Sequence, residues 1–413
     1  MIDYERFELD NGLRCLVHED DATPLAAVNV MYDVGSKDED PAHTGFAHLF
    51  EHLMFGGSKN IPDYDKEAEK VGGENNAFTS TDVTNYFLTL PAPNIETAFW
   101  LESDRMKELA FSEKSLEVQR SVVVEEFRQV YLNQPYGEAM LELRPMAFKE
   151  HPYRWPTIGR EIEHIEQTRM EDVKAFFDRF YHPANAILVV GGNVKKDEVK
   201  RLVEKWFGDI PAGPRNDRRL PEEPPQKEER SKTLEQEVPL DAIYRAYPMP
   251  GRVHSDFHAA DLLSDHLGRG DSARLYEKLV KQEERFSDID AYVTGETDHG
   301  LLILEGRLRD GVSFDAADAG LDRVLDEVRT GKLGEEEFEK LRNKVETSKT
   351  LSDMKVLHKC IELAFGEVMG DPNMVNEELE RYHKVQPEEL RALAERTLRP
   401  ENRNTLYYKR PAS

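Results

Sequence analysis

A chain of 413 residues is long for one core and suits two domains of about 200 residues each. With 39% hydrophobic and 33% charged residues it reads as globular, and no apolar run nears the ~20 residues that cross a bilayer. A formal net charge of −26 argues against nucleic acid or an anionic membrane as a partner. The opening stretch MIDYERFELDNGLRCLV has no basic-then-apolar leader, which points to the cytoplasm, or to the periplasm if a leader has been trimmed. Cys15 and Cys360 form no C-x-x-C pair and are expected to be reduced and buried.

In chain order, FELD, Asn11-Gly12 and LRCLVHE predict a hairpin with a tight two-residue turn. Residues 26–34 are a second strand candidate, followed by the polar loop GSKDEDPAHT and the segment GFAHLFEHLMFGG (45–57). After the Gly/Asn/Thr-rich residues 71–82, VTNYFLTLP alternates as a strand ending at Pro91. Residues 94–133 read as helices broken near Phe111-Ser112, the second running through SLEVQRSVVVEEFRQVYL. Further helices are expected over 138–149 and 169–180, a strand over 184–194 and a helix over 195–207. Residues 213–237 are rich in proline and charge and lack apolar periodicity, so they read as a linker.

Beyond the linker the order repeats. DAIYRAYPM is a strand, HSDFHAADLLSDHLGRG a helix closing in glycines, and ARLYEKLVKQ another helix. Two strands are expected within 287–309, helices across 313–398, and a last strand at NTLYYK (404–409). Placing Gly57 on Gly270 without gaps sets His48 at Asp261, Glu51 at Ser264 and His52 at Asp265. The expectation is a duplicated α+β unit, residues 1–212 and 238–413, in which only the first copy kept histidines.

His48 and His52 are four apart, so on a helix they share one face about 5–6 Å apart, and Glu51 reaches the same region. Two imidazoles, a carboxylate and an open position suit zinc. By chance alone H-x-x-E-H arises in roughly one such chain in twenty, and its bland reading is a helix whose histidines edge a core. A third ligand would decide the matter. VVVEEFRQ offers Glu125 and Glu126 on a second helix; neighbours on a helix point about 100° apart, so only one faces the ion.

These residues resemble a known family. H-x-x-E-H is the inverted zinc motif of the inverzincins, and GFAHLFEHLMFGGSKN, GGENNAFTSTDVTNYFLTLP, RSVVVEEFRQ, HPYRWPTIG, FYHPANAILVVGGNV and GRGDSARLYEKL resemble, in that order, segments of the pitrilysin/insulinase metallopeptidases. The likeness is strongest to their short-chain branch, which includes the mitochondrial processing peptidases and bacterial homologues. It implies an α+β fold of two homologous halves, each a mostly antiparallel sheet packed with helices. It implies one Zn2+ per chain, held by His48, His52 and Glu126, the last lying six residues after Arg120. Glu51 would be the general base that activates water. Where relatives often carry a second glutamate just before that arginine, this chain has Gln119.

The resemblance also implies a peptide substrate that adds a strand to the edge NNAFTS, with Asn76 and Ala77 nearest the scissile bond. Their bland reading is an edge-strand turn. Active relatives hold substrate with an Arg and a Tyr in a second-half stretch like L-R-x-x-x-G-L-A-Y. Here the stretch is LVKQEERFS, with Val280 and Ser287 at those places. That departure implies a heterodimer with a homologous subunit bearing the Arg/Tyr pair; the alternative is a homodimer in which other groups substitute. The expected function is a zinc endopeptidase subunit acting on peptides or unfolded segments, and its rival is a non-catalytic peptide-binding or assembly subunit of the same fold.

Overall fold

The computed structural model describes residues 1–411. The helices include α1 (Phe46–Leu53), α2 (Glu113–Phe127), α3 (Ala139–Ala147), α4 (Phe257–Leu267) and α5 (Val356–Val368). The chain forms two compact units. The first comprises Met1–Phe127, Trp155–Leu220 and Thr350–Glu377; the second comprises Arg128–Arg154, Pro221–Lys349 and Glu378–Ser413. Each unit therefore draws a segment from the other half of the sequence.

The sheet of the first unit holds β1 (Glu5–Glu8), β2 (Arg14–Glu19), β3 (Leu25–Tyr32), β4 (Glu74–Thr79), β5 (Thr84–Pro91) and β6 (Ala186–Gly192). Their order is β1-β2-β6-β3-β5-β4, antiparallel except for β2 beside β6. The inner strands β3 and β6 are nearly continuous apolar runs because both faces are covered. One covering element is α5, whose Val356, Cys360, Leu363 and Ala364 recur at helical spacing and pack on Leu16, Ala27, Met31, Ile187 and Val189. Cys15 and Cys360 are both free and buried.

The sheet of the second unit holds β7 (Arg230–Glu235), β8 (Ala242–Pro250), β9 (Phe286–Val293), β10 (His299–Leu308) and β11 (Asn404–Lys409). The order is β7-β11-β8-β10-β9, and again only the β7–β11 pair is parallel. Strand for strand this repeats β2-β6-β3-β5-β4. Here α3 plays the covering part, with Ala139, Leu143 and Ala147 against Tyr244, Ala246, Ile303, Leu406 and Tyr408. The architecture is α+β, with two mostly antiparallel sheets packed with helices.

Three local expectations change. The stretch 213–237 is not all linker, because β7 lies inside it and Arg218 is fixed by ion pairs to Asp33 (2.6 Å) and Asp38 (2.7 Å). The first hairpin turns through residues 9–13, and only Gly12 takes positive φ (84°). Asn11 is held out of a two-residue turn because its amide donates to the carbonyls of Phe207 (2.8 Å) and Ile210 (3.0 Å). The helix expected to run to Leu132 ends as α-helix at Phe127 and continues as a π-helical turn, Arg128–Leu132.

Candidate metal centre

α1 starts at a glycine and a buried acid. Gly45 has φ 86°, and a Cβ there would lie 2.6 Å from the Ile158 carbonyl oxygen. No N-cap side chain serves the first turn. Glu39, 7% exposed, does so instead, accepting the backbone N–H of Gly45 (2.9 Å) and Ala47 (2.8 Å). Burial pushes the Glu39 carboxyl up to about 8, against the pull of those two donors. Phe46, Ala47, Leu49, Phe50 and Leu53 are buried, with the Phe50 ring 4.3 Å from that of Tyr181. Helical spacing leaves His48, Glu51 and His52 on the remaining face.

α2 buries Leu116, Val123, Val124 and Phe127. Arg120 ties it down by donating to the carbonyls of Glu166 (3.1 Å) and Thr168 (2.9 Å). The chain leaving α1 passes so close to α2 that a Cβ at Gly56 would overlap the Ser115 hydroxyl. That approach brings Glu126 to the histidines: His48 Nε2 is 3.8 Å from Glu126 Oε1, and His52 Nε2 is 3.5 Å from Glu126 Oε2. Among the described residues these three form the one group whose ligand atoms all lie within 4.8 Å of one another.

The group fits zinc. Tetrahedral bonds of 2.0–2.1 Å set ligand atoms about 3.3–3.4 Å apart, and one ligand atom from each of the three residues already lies within 4.8 Å of the others, so a small inward shift would complete the set. Burial depresses His48 to about 4, with Glu126 pulling the other way and His52 adding to the depression, so its imidazole is neutral at pH 7. The hydrogen bond to His52 holds the Glu126 carboxyl below its usual range despite some burial. A neutral imidazole and an ionised carboxylate are the forms a metal needs. The side chains are 13%, 24% and 39% exposed, so one side of the group is open. Among the described residues His48 Nδ1 is buried without a partner, so none of their carbonyls or carboxylates fixes its tautomer.

Glu51 faces β4. Its Oε2 accepts a 2.6 Å hydrogen bond from Thr79 Oγ1; burial raises its carboxyl pKa and that bond opposes the rise. Asn76 and Ala77 lie on the same strand, which is the sheet's outer one and pairs only with β5. Asn76 Oδ1 accepts the Ala77 N–H at 2.8 Å. Thr79, two residues past Ala77, is the β4 residue that reaches Glu51. Neither Thr79 nor Glu39 was singled out from the sequence. A strand hydroxyl has no spacing signal, and Glu39 is one of the consecutive acids Asp38, Glu39 and Asp40.

In the second unit α4 carries Asp261, Ser264 and Asp265 where α1 carries His48, Glu51 and His52. Asp261 accepts the Tyr382 hydroxyl (2.6 Å), and Asp265 pairs with Arg269 (3.2 Å). Val280 is a core residue, 7% exposed. Ser287 is exposed and donates to the Arg307 carbonyl (3.1 Å). Glu284, at the glycine of the resembling stretch, keeps a positive φ of 52°.

Family models match the chain in two consecutive stretches. The family model "Insulinase (Peptidase family M16)" matches residues 14–160, and "Peptidase M16 inactive domain" matches residues 169–345. The zinc protease PqqE of Helicobacter pylori is 30% identical over 347 residues, covering 82% of this chain and 78% of the relative. The mitochondrial-processing peptidase subunit beta of Caenorhabditis elegans is 25% identical over 335 residues, covering 78% and 69%. The crystal structure of a protease from Helicobacter pylori superimposes with a TM-score of 0.92 at 26% identity, over 99% of this chain and all of that one. Among the described residues no helix is long and apolar enough to cross a membrane.

Proposed function

The chain belongs to the insulinase family, peptidase family M16, and on that footing we propose that it is a zinc-dependent endopeptidase subunit that hydrolyses peptides or unfolded polypeptide segments. The observation that carries this reading is the convergence of His48, His52 and Glu126 with Glu51 on the intervening turn.

His48, His52 and Glu126 would hold the ion through two imidazole nitrogens and a carboxylate. Zinc bound there supplies a Lewis acid, which polarises a carbonyl and makes water more acidic. Glu51 takes a proton from water as the water oxygen attacks the scissile carbonyl carbon. Glu51 then returns that proton to the amine nitrogen as the C–N bond breaks, which restores the carboxylate. Asn76 and Ala77 would hold the substrate as an added strand along β4, with the Asn76 side chain giving up the Ala77 N–H to a substrate carbonyl.

Val280 and Ser287 supply no cation and no phenol, and lost oxyanion donors cost about 10²–10³ in rate. We infer that a homologous subunit brings the Arg/Tyr pair, a homodimer being the alternative. The test is hydrolysis of a quenched-peptide mixture by the zinc-loaded chain, alone and with protein co-purified from the native source. Cleavage abolished by a chelator and restored by zinc is expected, and it should be stronger with the partner. Zinc bound without cleavage in either preparation would favour the non-catalytic peptide-binding subunit.

A further inference from the structure

The peptidase reading leaves open what sets the orientation of Glu51. The carboxylate sits in the last turn of a short helix, between two residues that would be drawn to one ion. Its side chain has rotatable bonds that the helix does not fix. From the geometry of β4 we propose that Thr79 is the positioning residue for Glu51. Its hydroxyl pins one carboxylate oxygen, so that the other is free to accept the proton of the attacking water. This inference rests on the peptidase reading and deepens it.

Three observations meet at this residue. The Thr79 hydroxyl carries a single proton, and at 2.6 Å that proton is given to Glu51 Oε2. The backbone of Thr79 is itself anchored, since it closes β4 opposite Thr84 of β5. Thr84 in turn donates its hydroxyl to the Val34 carbonyl (2.9 Å) in the buried part of the sheet. The bond to Glu51 therefore runs to the sheet and not to a mobile side chain. Finally, Ala77 and Thr79 are two apart on one strand and so point to the same face. The strand proposed to pair with substrate at Asn76 and Ala77 is thus the strand that holds the base. Substrate register and base orientation share one rigid element, which is the arrangement near-attack geometry requires.

The experiment uses the full chain, zinc-loaded and with its partner subunit if one is needed, and a single internally quenched peptide chosen from the mixture. Thr79→Val keeps the shape and removes the donor; Thr79→Ser keeps the donor. We expect Thr79→Val to lower kcat about ten-fold, the worth of a hydrogen bond to a charged group. KM should stay within about two-fold, zinc content should match the wild type, and Thr79→Ser should recover most of the loss. In metal-free protein, the denaturation midpoints of Thr79→Val, Glu51→Ala and the double variant should be non-additive, because the two side chains share one bond and each substitution removes it. Equal losses for the valine and serine variants, an effect on KM alone, or additive midpoint shifts would each overturn the assignment. A wild-type chain that binds zinc and cleaves nothing brings down the peptidase reading itself; an active wild type with normal Thr79→Val kinetics brings down only Thr79.

Discussion

Apart from the extra outer strand β1, the two sheets have the same strand order and the same single parallel pair, yet the helices in corresponding places do opposite things. On α1 the polar face carries His48, Glu51 and His52, open on one side and met by Glu126 from α2. On α4 the corresponding face carries Asp261, Ser264 and Asp265, and each acid is answered from inside its own unit, by Tyr382 and Arg269. One copy leaves its polar face open on one side; the other closes it with hydrogen bonds and an ion pair. The same backbone plan therefore does not make a metal site. What gathers the candidate one is residue type together with a second helix that brings a third donor.

Four predictions test that contrast. The largest effect is expected for Glu51→Gln, with cleavage falling about 10³-fold while zinc stays bound; full activity would remove Glu51 as base. His52→Ala should take the metal content from about one ion per chain to roughly none, whereas Asp265→Ala leaves it unchanged. Elemental analysis of both reads the asymmetry directly, and retained zinc in His52→Ala would end the ligand assignment.

The third concerns pH. Burial, reinforced by the Asp261 charge, pushes the Asp265 carboxyl up to about 6, against an unfolded value near 3.9. A raised carboxyl contributes stability that is fully present below the unfolded value and is lost as pH rises through about 6. Asp265→Asn should therefore flatten the change in denaturation midpoint between pH 4 and pH 7.5, by on the order of 2 kcal/mol. Parallel pH profiles for wild type and variant would contradict the closed-face account of α4. The smallest effect belongs to Glu125→Gln, within about two-fold in activity and with unchanged zinc, because Glu125 points about 100° away from its neighbour on α2. A large loss there would transfer the third-ligand role from Glu126.

Much of the fold was legible because periodicity reports burial. AVNVMY and AILVV read as strands and are the covered centre of the first sheet. The break before α2 was visible at Phe111-Ser112, where Phe111 takes φ 45°. β7 was not legible: RSKTLE is polar, exposed on most of its length, and becomes a strand only because β11 pairs with it in parallel. The exchange of α3 and α5 between halves was hidden for a related reason. Their apolar stripes say that one side is covered, and nothing in a stripe says by which sheet.

The site divides along the same line. Helical spacing alone puts His48, Glu51 and His52 on one face, since the periodicity of a helix is a local property of consecutive residues. What that face meets is not local. Glu126 reaches the histidines because Gly56 lets α2 approach and Arg120 anchors it to the carbonyls of Glu166 and Thr168. Thr79 reaches Glu51 because the outer strand of the sheet lies under α1. Residue order is enough to propose ligands and a base; only packing over long sequence separations decides which third carboxylate meets the histidines, how the group is protonated and which donor bonds to Glu51.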